Sequence, residues 1–236
     1  MHQFPSLAVV IPAAGIGKRM QADKAKQYLT IHNKTILEHT LECFIELDFV
    51  THIYVSVSQS DELFSTLPVC NSEKVVRVRG GTERADSVLN GVIEAKKDNH
   101  QWLMVHDAAR PCVSVEDIKN LYLRCLEQNQ AGILATPVRD TMKRSQVGSP
   151  LIATTEDRNG MWHALTPQCA RVEQLHQSLN LKVEEGGLVS NLITDEASAL
   201  ELAGYPVNLV QGSVKNIKIT LPEDLELAEF YLSGKK

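Results

Sequence analysis

The first 136 residues alternate short apolar runs with longer stretches that have helical periodicity. The apolar runs are rich in β-branched side chains and occupy 7–11, 52–57, 75–78, 102–106 and 132–136. Continuous apolar strands are typical of a sheet that is covered on both faces. The intervening stretches repeat apolar residues every three or four positions, at 35–47, 83–97 and 114–128. This alternation predicts an α/β fold with a mostly parallel sheet flanked by helices.

The rhythm changes after Val138. Residues 138–162 indicate two polar strands around a turn at 147–150, with few large apolar side chains to bury. A hairpin of this kind is marginal on its own, so we expect it to pack on something else, such as a second subunit. We therefore predict one domain, 1–236, in which 138–160 forms a β-arm used for dimerisation.

The end of the chain returns to the α/β pattern. Helices are predicted near 171–181 and 195–203, followed by apolar strands at 208–210 and 216–220. A last helix is expected to begin at Pro222 and to end before Gly234, the usual positions of these two residues at helix ends.

Composition excludes several classes of function. The net charge of −5 argues against nonspecific nucleic-acid binding, which usually requires a basic surplus. The five cysteines are odd in number and contain no C-x-x-C pair, a pattern that favours a reduced cytoplasmic protein. The N-terminal segment predicts neither a signal peptide nor a membrane span. Serine-hydrolase and zinc-protease motifs, G-x-S-x-G and H-E-x-x-H, are absent from the sequence.

The segment PAAGIGKRMQADKAKQY, 12–28, follows the first predicted strand. It matches neither a G-x-G-x-x-G fingerprint nor a Walker A loop, because Met20, Arg19 and Pro12 stand at required positions. Small residues at 13–15 let the backbone approach a ligand, and the basic side chains that follow oppose the dipole of a helix start. The segment therefore favours an anion-binding loop over a solvated helix start.

Two further strand ends carry polar motifs. GGTERADSV, 80–88, indicates either a plain turn before a helix or a second backbone loop at the carboxyl edge of the sheet. VHDAARP, 105–111, places Asp107 where it can hold Mg²⁺ and Arg110 where it can bind a phosphate. The alternative is a buried Asp–Arg pair that stabilises the loop. Lys218, within the predicted apolar strand, is expected to need a partner.

In combination these segments resemble the 2-C-methyl-D-erythritol 4-phosphate cytidylyltransferase family. The match continues through motifs that carry it almost from end to end, in the expected order: PAAGIGKRM, KQYL, ILEH, GGTERADSV, VHDAARP, PVRDTMKR, DRNGMWHALTPQ, ITDEASALE and NIKIT-x-PEDL. The resemblance implies a Rossmann-like fold of the nucleotide-diphospho-sugar transferase type, with a protruding β-arm that joins a homodimer. It implies transfer of CMP from CTP to methylerythritol phosphate in non-mevalonate isoprenoid precursor synthesis, with Mg²⁺ or another divalent cation.

The resemblance also implies residue roles. The implied catalytic residues are Arg19, Lys26, Asp107 and Lys218, of which Asp107 would also be the metal ligand. The implied nucleotide-binding residues are Ala13, Ala14, Gly15, Gly17, Gly81 and Ser87. The residues implied to surround methylerythritol phosphate are Arg110, Thr166 and Thr194, together with Thr141 and Arg158 from the partner's arm.

Some alternatives stay open at this stage. A ribitol 5-phosphate cytidylyltransferase would share most of these features, and a non-catalytic nucleotide-binding protein would share the fold. The chain also departs from the family pattern, because Ala25 replaces the usual proline before Lys26 and Thr82 stands where an acid is common. The loop at 184–191 is expected to be longer than usual and mobile.

Overall fold

The computed structural model describes residues 4–15, 25–184 and 193–234. In this part of the chain, the strands are β1 Leu7–Pro12, β2 Thr30–Ile31, β3 Lys34–Thr35, β4 Val50–Val57, β5 Val75–Arg79, β6 Trp102–Val105, β7 Ala131–Pro137, β8 Met142–Ser145, β9 Ile152–Glu156, β10 Trp162–Arg171 and β11 Val207–Gln211. The helices are α1 Ile36–Ile45, α2 Arg84–Lys97, α3 Val115–Gln128, α4 Val172–Glu184, α5 Glu196–Leu202 and α6 Pro222–Ser233. The predicted α/β alternation is therefore confirmed.

In the described part of the chain, seven strands form one sheet in the order β11-β7-β10-β6-β1-β4-β5. β1 runs parallel to both β4 and β6, β4 runs parallel to β5, and β11 runs parallel to β7. β10 alone among these strands is antiparallel to its neighbours, β6 and β7. The prediction of a mostly parallel sheet is thus confirmed.

Helices cover both faces of this sheet, as the alternation of side chains along β1 shows. Leu7, Val9 and Ile11 point into a core shared with α1 and α3. Ala8 and Val10 point into a second core shared with α2, α4 and α5. Because successive strand residues face opposite sides, a strand buried on both faces must be apolar at every position.

Helix α2 packs closely against the central strand at Gly91. A Cβ atom at this position would lie 2.5 Å from Cγ1 of Val10, whose side chain is fully buried. The glycine therefore permits close contact between helix and sheet, and this contact fixes where the first turn of α2 meets the carboxyl edge.

The predicted hairpin in 138–162 forms as β8 and β9, which pair antiparallel in a sheet of their own. The turn lies where it was predicted, and three apolar side chains on the hairpin are exposed: Val147, Leu151 and Ile152. The hairpin thus presents apolar surface on a segment that has little core of its own.

The predicted strand at 216–220 is wrong. Among the described residues this segment joins no sheet, and its backbone instead makes single hydrogen bonds, such as Ile219 N–H to the carbonyl of Ala109 at 2.9 Å. Its alternating apolar side chains pack Ile217 and Ile219 against a small core with α6. Apolar alternation alone does not distinguish such a segment from a strand.

None of the helices in the described ranges is both long and apolar enough to cross a membrane.

We expect Gly91→Val to lower the free energy of unfolding by about 2 kcal/mol, because the new side chain overpacks the α2–β1 contact. Lys97→Val is the matched control, since it places the same residue on an exposed position of the same helix. Chemical denaturation of both variants measures the difference. Equal stability of the two variants would contradict the close packing at Gly91.

Candidate active site

A cavity opens at the carboxyl edge of the sheet, where the loops after β1, β5 and β6 meet. Its lining comes from these loops, from the 3-10 turn Lys26–Tyr28 and from the 216–220 segment: Pro12, Ala13, Ala14, Gly15, Lys26, Gln27, Gly81, Thr82, Glu83, Arg84, Ser87, Asp107, Ala108, Ala109 and Lys218. We call this space the edge cavity. Open α/β sheets bind their ligands at this edge.

The loop after β1 forms one wall and is held from two sides. Ala13 N–H donates to the carbonyl of Ser56 at 2.8 Å, and Gln27 Nε2 donates to the carbonyl of Ala13 at 2.7 Å. A Cβ at Gly80 would collide with the Cβ of Ala14, so this glycine lets the loop after β5 lie against the loop after β1. Small residues therefore bring two backbone segments together around one space.

The second loop is shaped by Ser87, whose side chain is almost fully buried. Its hydroxyl accepts from Gly81 N–H at 3.0 Å and donates to the carbonyl of Glu83 at 3.2 Å. Because the Ser87 hydroxyl uses its hydrogen and one lone pair for contacts inside the loop, it shapes the cavity by fixing the backbone at 81–83.

Asp107 lies at the floor of the edge cavity, just beyond β6, and its side chain is 9% exposed. Three cations surround it. Arg84 reaches Oδ1 at 3.1 Å, while Lys218 and Arg110 reach Oδ2 at 2.9 and 3.4 Å. Burial by itself would raise the pKa of this carboxyl, but the neighbouring cations outweigh it and hold the pKa well below its usual range. Asp107 is therefore a carboxylate under all ordinary conditions.

The backbone of Asp107 is fixed by a second network beneath the cavity. Thr166 Oγ1 accepts from Asp107 N–H at 3.1 Å and lies 2.9 Å from Nδ1 of His106. His106 Nε2 lies 3.0 Å from the carbonyl of Arg110, which can only accept, so we assign the ring proton to Nε2. The Thr166 hydroxyl then donates to Nδ1, and burial lowers the pKa of His106 to about 4. His106 is thus a buried residue of the scaffold.

Two residues of this site, Arg84 and Glu196, were not predicted. The Arg84 guanidinium donates to both oxygens of Glu196, at 2.7 and 3.2 Å, and also to Asp107. The two acids hold the pKa of Arg84 above its usual value despite its burial. Burial raises the pKa of Glu196, although Arg84 opposes this effect. One feature of the sequence could have indicated this pair. Arg84 stands at a helix start, where a cation opposes the macrodipole and is favoured only with an acidic partner.

Lys26 and Lys218 line the cavity from different segments. Lys26 Nζ donates to the carbonyl of Ile219 at 3.1 Å, and Lys218 Nζ pairs with Asp107. The first contact joins the 3-10 turn to the 216–220 segment. Lys218 thus has the partner that its apolar surroundings predicted.

Arg110 does not line the edge cavity. Its side chain is 11% exposed, and its guanidinium donates to Asp107 and, at 2.7 Å, to the carbonyl of Asn216. This geometry agrees with the alternative interpretation of the VHDAARP motif, in which a buried Asp–Arg pair stabilises the loop. Binding of a phosphate by Arg110 stays a prediction.

The remaining predicted residues lie elsewhere. Thr166 is buried beneath the floor, and Thr194 is exposed beside a smaller neighbouring pocket that it shares with Arg84. Thr141 and Arg158 are exposed at the base of the β8–β9 hairpin, where Arg158 donates to the carbonyl of Arg139. The predicted residues Gly17 and Arg19, and most of the 184–191 loop, lie outside the described residues.

Within the described ranges, no three His, Cys, Asp or Glu side chains group together as a metal site. Asp107 is the ionised carboxylate at the cavity floor, which is the hard oxygen ligand that Mg²⁺ prefers. A single carboxylate fits the usual Mg²⁺ site of nucleotide enzymes, in which substrate phosphates and water supply the other ligands.

Comparison with known proteins gives one consistent result. Residues 7–234 match the family model described as 2-C-methyl-D-erythritol 4-phosphate cytidylyltransferase. Proteins of that name from Vibrio vulnificus (strain CMCP6) and Alteromonas mediterranea are 51% and 53% identical, over 100% and 98% of this chain and 98% and 94% of their own lengths. The crystal structure of the Francisella tularensis protein of that name is 39% identical with a TM-score of 0.82, over 96% of this chain and 99% of that one. The chain belongs to the 2-C-methyl-D-erythritol 4-phosphate cytidylyltransferase family.

Proposed function

We propose that this protein transfers CMP from CTP to 2-C-methyl-D-erythritol 4-phosphate. The products are 4-diphosphocytidyl-2-C-methyl-D-erythritol and pyrophosphate, in the non-mevalonate route to isoprenoid precursors. Family membership over almost the whole chain supports this activity. The observation that carries it is the edge cavity itself, where two backbone loops built from small residues face an ionised carboxylate surrounded by cations.

The reaction needs positioning and charge stabilisation more than covalent help. A phosphate oxygen of the acceptor attacks the α-phosphorus of CTP in line and forms the new P–O bond. The bond from the α-phosphorus to the bridging oxygen breaks, and pyrophosphate leaves with that electron pair. No enzyme nucleophile is required, in keeping with the lack of nucleophile motifs in the sequence.

The two backbone loops would bind the nucleotide. Ala13, Ala14 and Gly15 on one side and Gly81 on the other present main-chain groups to the cavity, and Ser87 supports the second loop. Backbone groups held by hydrogen bonds need little reorganisation when a base or phosphate arrives. Gly17 would extend the first loop.

Lys26 would stabilise the negative charge that develops on the α-phosphate. Its ammonium lines the cavity, and the hydrogen bond to Ile219 orients it. Preorganised cations in a site that excludes water are among the largest contributors to catalysis. Arg19 would act beside it, and Lys218 would bind phosphate oxygens next to Asp107.

We further propose that Asp107 holds Mg²⁺ together with phosphate oxygens of the substrate. When bound, this ion neutralises phosphate charge as a Lewis acid. The surrounding chain keeps Asp107 ionised and fixes its backbone through Thr166.

The acceptor would bind beside Arg110, Thr166 and Thr194, and the arm would complete this site in a homodimer. Thr141 and Arg158 would reach the acceptor phosphate bound to the partner subunit. The exposed apolar side chains of the arm, Val147, Leu151 and Ile152, support this use as an interface.

The pattern of the cysteines supports a cytoplasmic enzyme. They are odd in number, contain no C-x-x-C pair, and three of the five are buried.

Release of pyrophosphate is the direct test of the proposed function. With CTP, Mg²⁺ and methylerythritol phosphate, we expect release that stops when EDTA removes the metal and resumes when Mg²⁺ is added back. Ribitol 5-phosphate, tested in parallel, distinguishes the alternative acceptor. Faster release with ribitol 5-phosphate would overturn the acceptor, and no release with either would overturn the activity.

Lys26→Ala should lower kcat by about 10²-fold or more, because it removes a preorganised cation from the transition state. Lys34→Ala is the control, since Lys34 is an exposed lysine paired with Glu42 outside the cavity. Steady-state kinetics of both variants, with their circular dichroism spectra, make the comparison. A folded Lys26→Ala variant with the turnover of the Lys34→Ala variant would exclude Lys26 from catalysis.

Mixing two inactive variants tests the arm. In a dimer of one Lys26→Ala and one Arg158→Ala subunit, one site receives an intact core from one chain and an intact arm from the other. We therefore expect the mixture, after unfolding and refolding together, to recover activity that neither variant has alone. Lack of recovery, with dimers confirmed by analytical ultracentrifugation, would contradict an arm that acts in the partner's site.

A further inference from the structure

The Arg84–Glu196 pair joins the edge cavity to a different part of the fold. Arg84 is the first residue of α2, and Glu196 is the first residue of α5, 112 residues later in the chain. Glu196 is 2% exposed and is not among the residues that line the edge cavity. It therefore makes no direct contact with a ligand in that cavity, and its effect on the position of groups in the cavity must pass through another side chain.

The hydrogen bonds of Arg84 show how this influence is transmitted. Nη1 and Nη2 donate to the two oxygens of Glu196, while Nε and Nη2 lie 3.2 and 3.1 Å from Oδ1 of Asp107. The guanidinium is a rigid planar fork, so the acid that binds one edge also sets the direction of the other edge. Glu196 thus fixes the orientation of Arg84 toward Asp107.

Asp107 depends on this orientation at one of its two oxygens. Lys218 and Arg110 both contact Oδ2. Among the described residues, Oδ1 is hydrogen-bonded by Arg84. If Arg84 moves, the carboxylate is free to rotate about the Oδ2 contacts and no longer presents a fixed oxygen to the cavity.

The charge balance leads to the same residue. Among the described residues, two acids, Asp107 and Glu196, form ion pairs with the three cations Arg84, Arg110 and Lys218. Neutralising Glu196 would leave one acid among three cations. The cavity would then attract a triphosphate at least as strongly, while its central carboxylate would be held less firmly.

We infer that Glu196 is a positioning residue that holds Arg84 against Asp107 and so fixes the carboxylate on which cytidylyl transfer depends. This inference rests on the proposed function. It predicts that loss of the Glu196 charge slows the chemical step without weakening the binding of CTP.

Glu196→Gln is the direct test, since the amide keeps the shape and removes the charge and one acceptor. We expect kcat for CTP and methylerythritol phosphate to fall roughly 10- to 100-fold, as for small misplacements of catalytic groups, while KM for CTP stays equal or decreases. The concentration of active sites is measured for each preparation, so that a loss of folded protein does not count as a loss of kcat. If Glu196→Gln does not fold, Glu196→Asp serves in its place, because it keeps the charge and shortens the reach.

Glu38→Gln is the matched control. Glu38 is also a buried acid in the first turn of a helix, where it accepts from the N–H and hydroxyl of Thr35, and it does not line the cavity. We expect this variant to lose thermal stability with kcat per active site unchanged. Equal kcat values for Glu196→Gln and Glu38→Gln would overturn the inference and leave Glu196 a stabilising residue only.

A double variant tests whether Glu196 acts through Arg84. In an Arg84→Lys background, which lacks the rigid fork, Glu196→Gln should lower kcat little further; full additivity of the two losses would contradict the mechanism.

A crystal structure of Glu196→Gln gives a readout that does not require activity. If the contacts from Arg84 to Asp107 Oδ1 are unchanged in this variant, the inference is overturned, whether or not the protein is active. If instead the wild-type protein releases no pyrophosphate, that result by itself overturns only the proposed function.

Discussion

The burial of one carboxylate, Asp107, determines much of the arrangement at the carboxyl edge of the sheet. Removing an ionised carboxylate from water costs several kcal/mol, so it must be offset by partners close at hand. Its three cationic partners come from the start of α2, the loop after β6 and the segment at 216–220. Two unit charges 4 Å apart interact by roughly 4 kcal/mol at the effective dielectric near a protein surface. The folded state is therefore stabilised when these three segments meet at this point.

The same interaction gives an acidic protein a cationic cavity. The chain has a net charge of −5, yet the cavity is lined by Lys26, Arg84 and Lys218. Cations gathered without an acid would repel one another, and Asp107 permits their approach. A phosphate-rich substrate then meets donors that are already in place, and this is the condition under which fixed charges contribute most to catalysis.

The features that could be predicted from the sequence are those that depend on residues close together in the chain. The strand and helix pattern, the small-residue loop after β1 and the position of Asp107 at a strand end all follow from local periodicity and composition, whereas the residues at 80–88 left a plain turn and a second loop equally open. The Arg84–Glu196 pair could not be predicted in this way, because its members are 112 residues apart and each has an ordinary local explanation. The prediction of a strand at 216–220 is wrong for a related reason. Its apolar alternation reflects packing against α6, which no local pattern distinguishes from pairing in a sheet.

Ala25 shows how the structure resolves a departure that the sequence left open. Its φ of −57° and ψ of 137° lie within the range that a proline would impose, so the backbone before Lys26 adopts the same conformation without the ring. A proline would also restrict the unfolded chain, and this would raise the free energy of unfolding by about 0.4–1 kcal/mol. The position of Lys26 is instead secured by its own hydrogen bond to Ile219 and by the bond from Gln27 to Ala13. The substitution therefore affects stability more than it affects the approach of the lysine to the cavity.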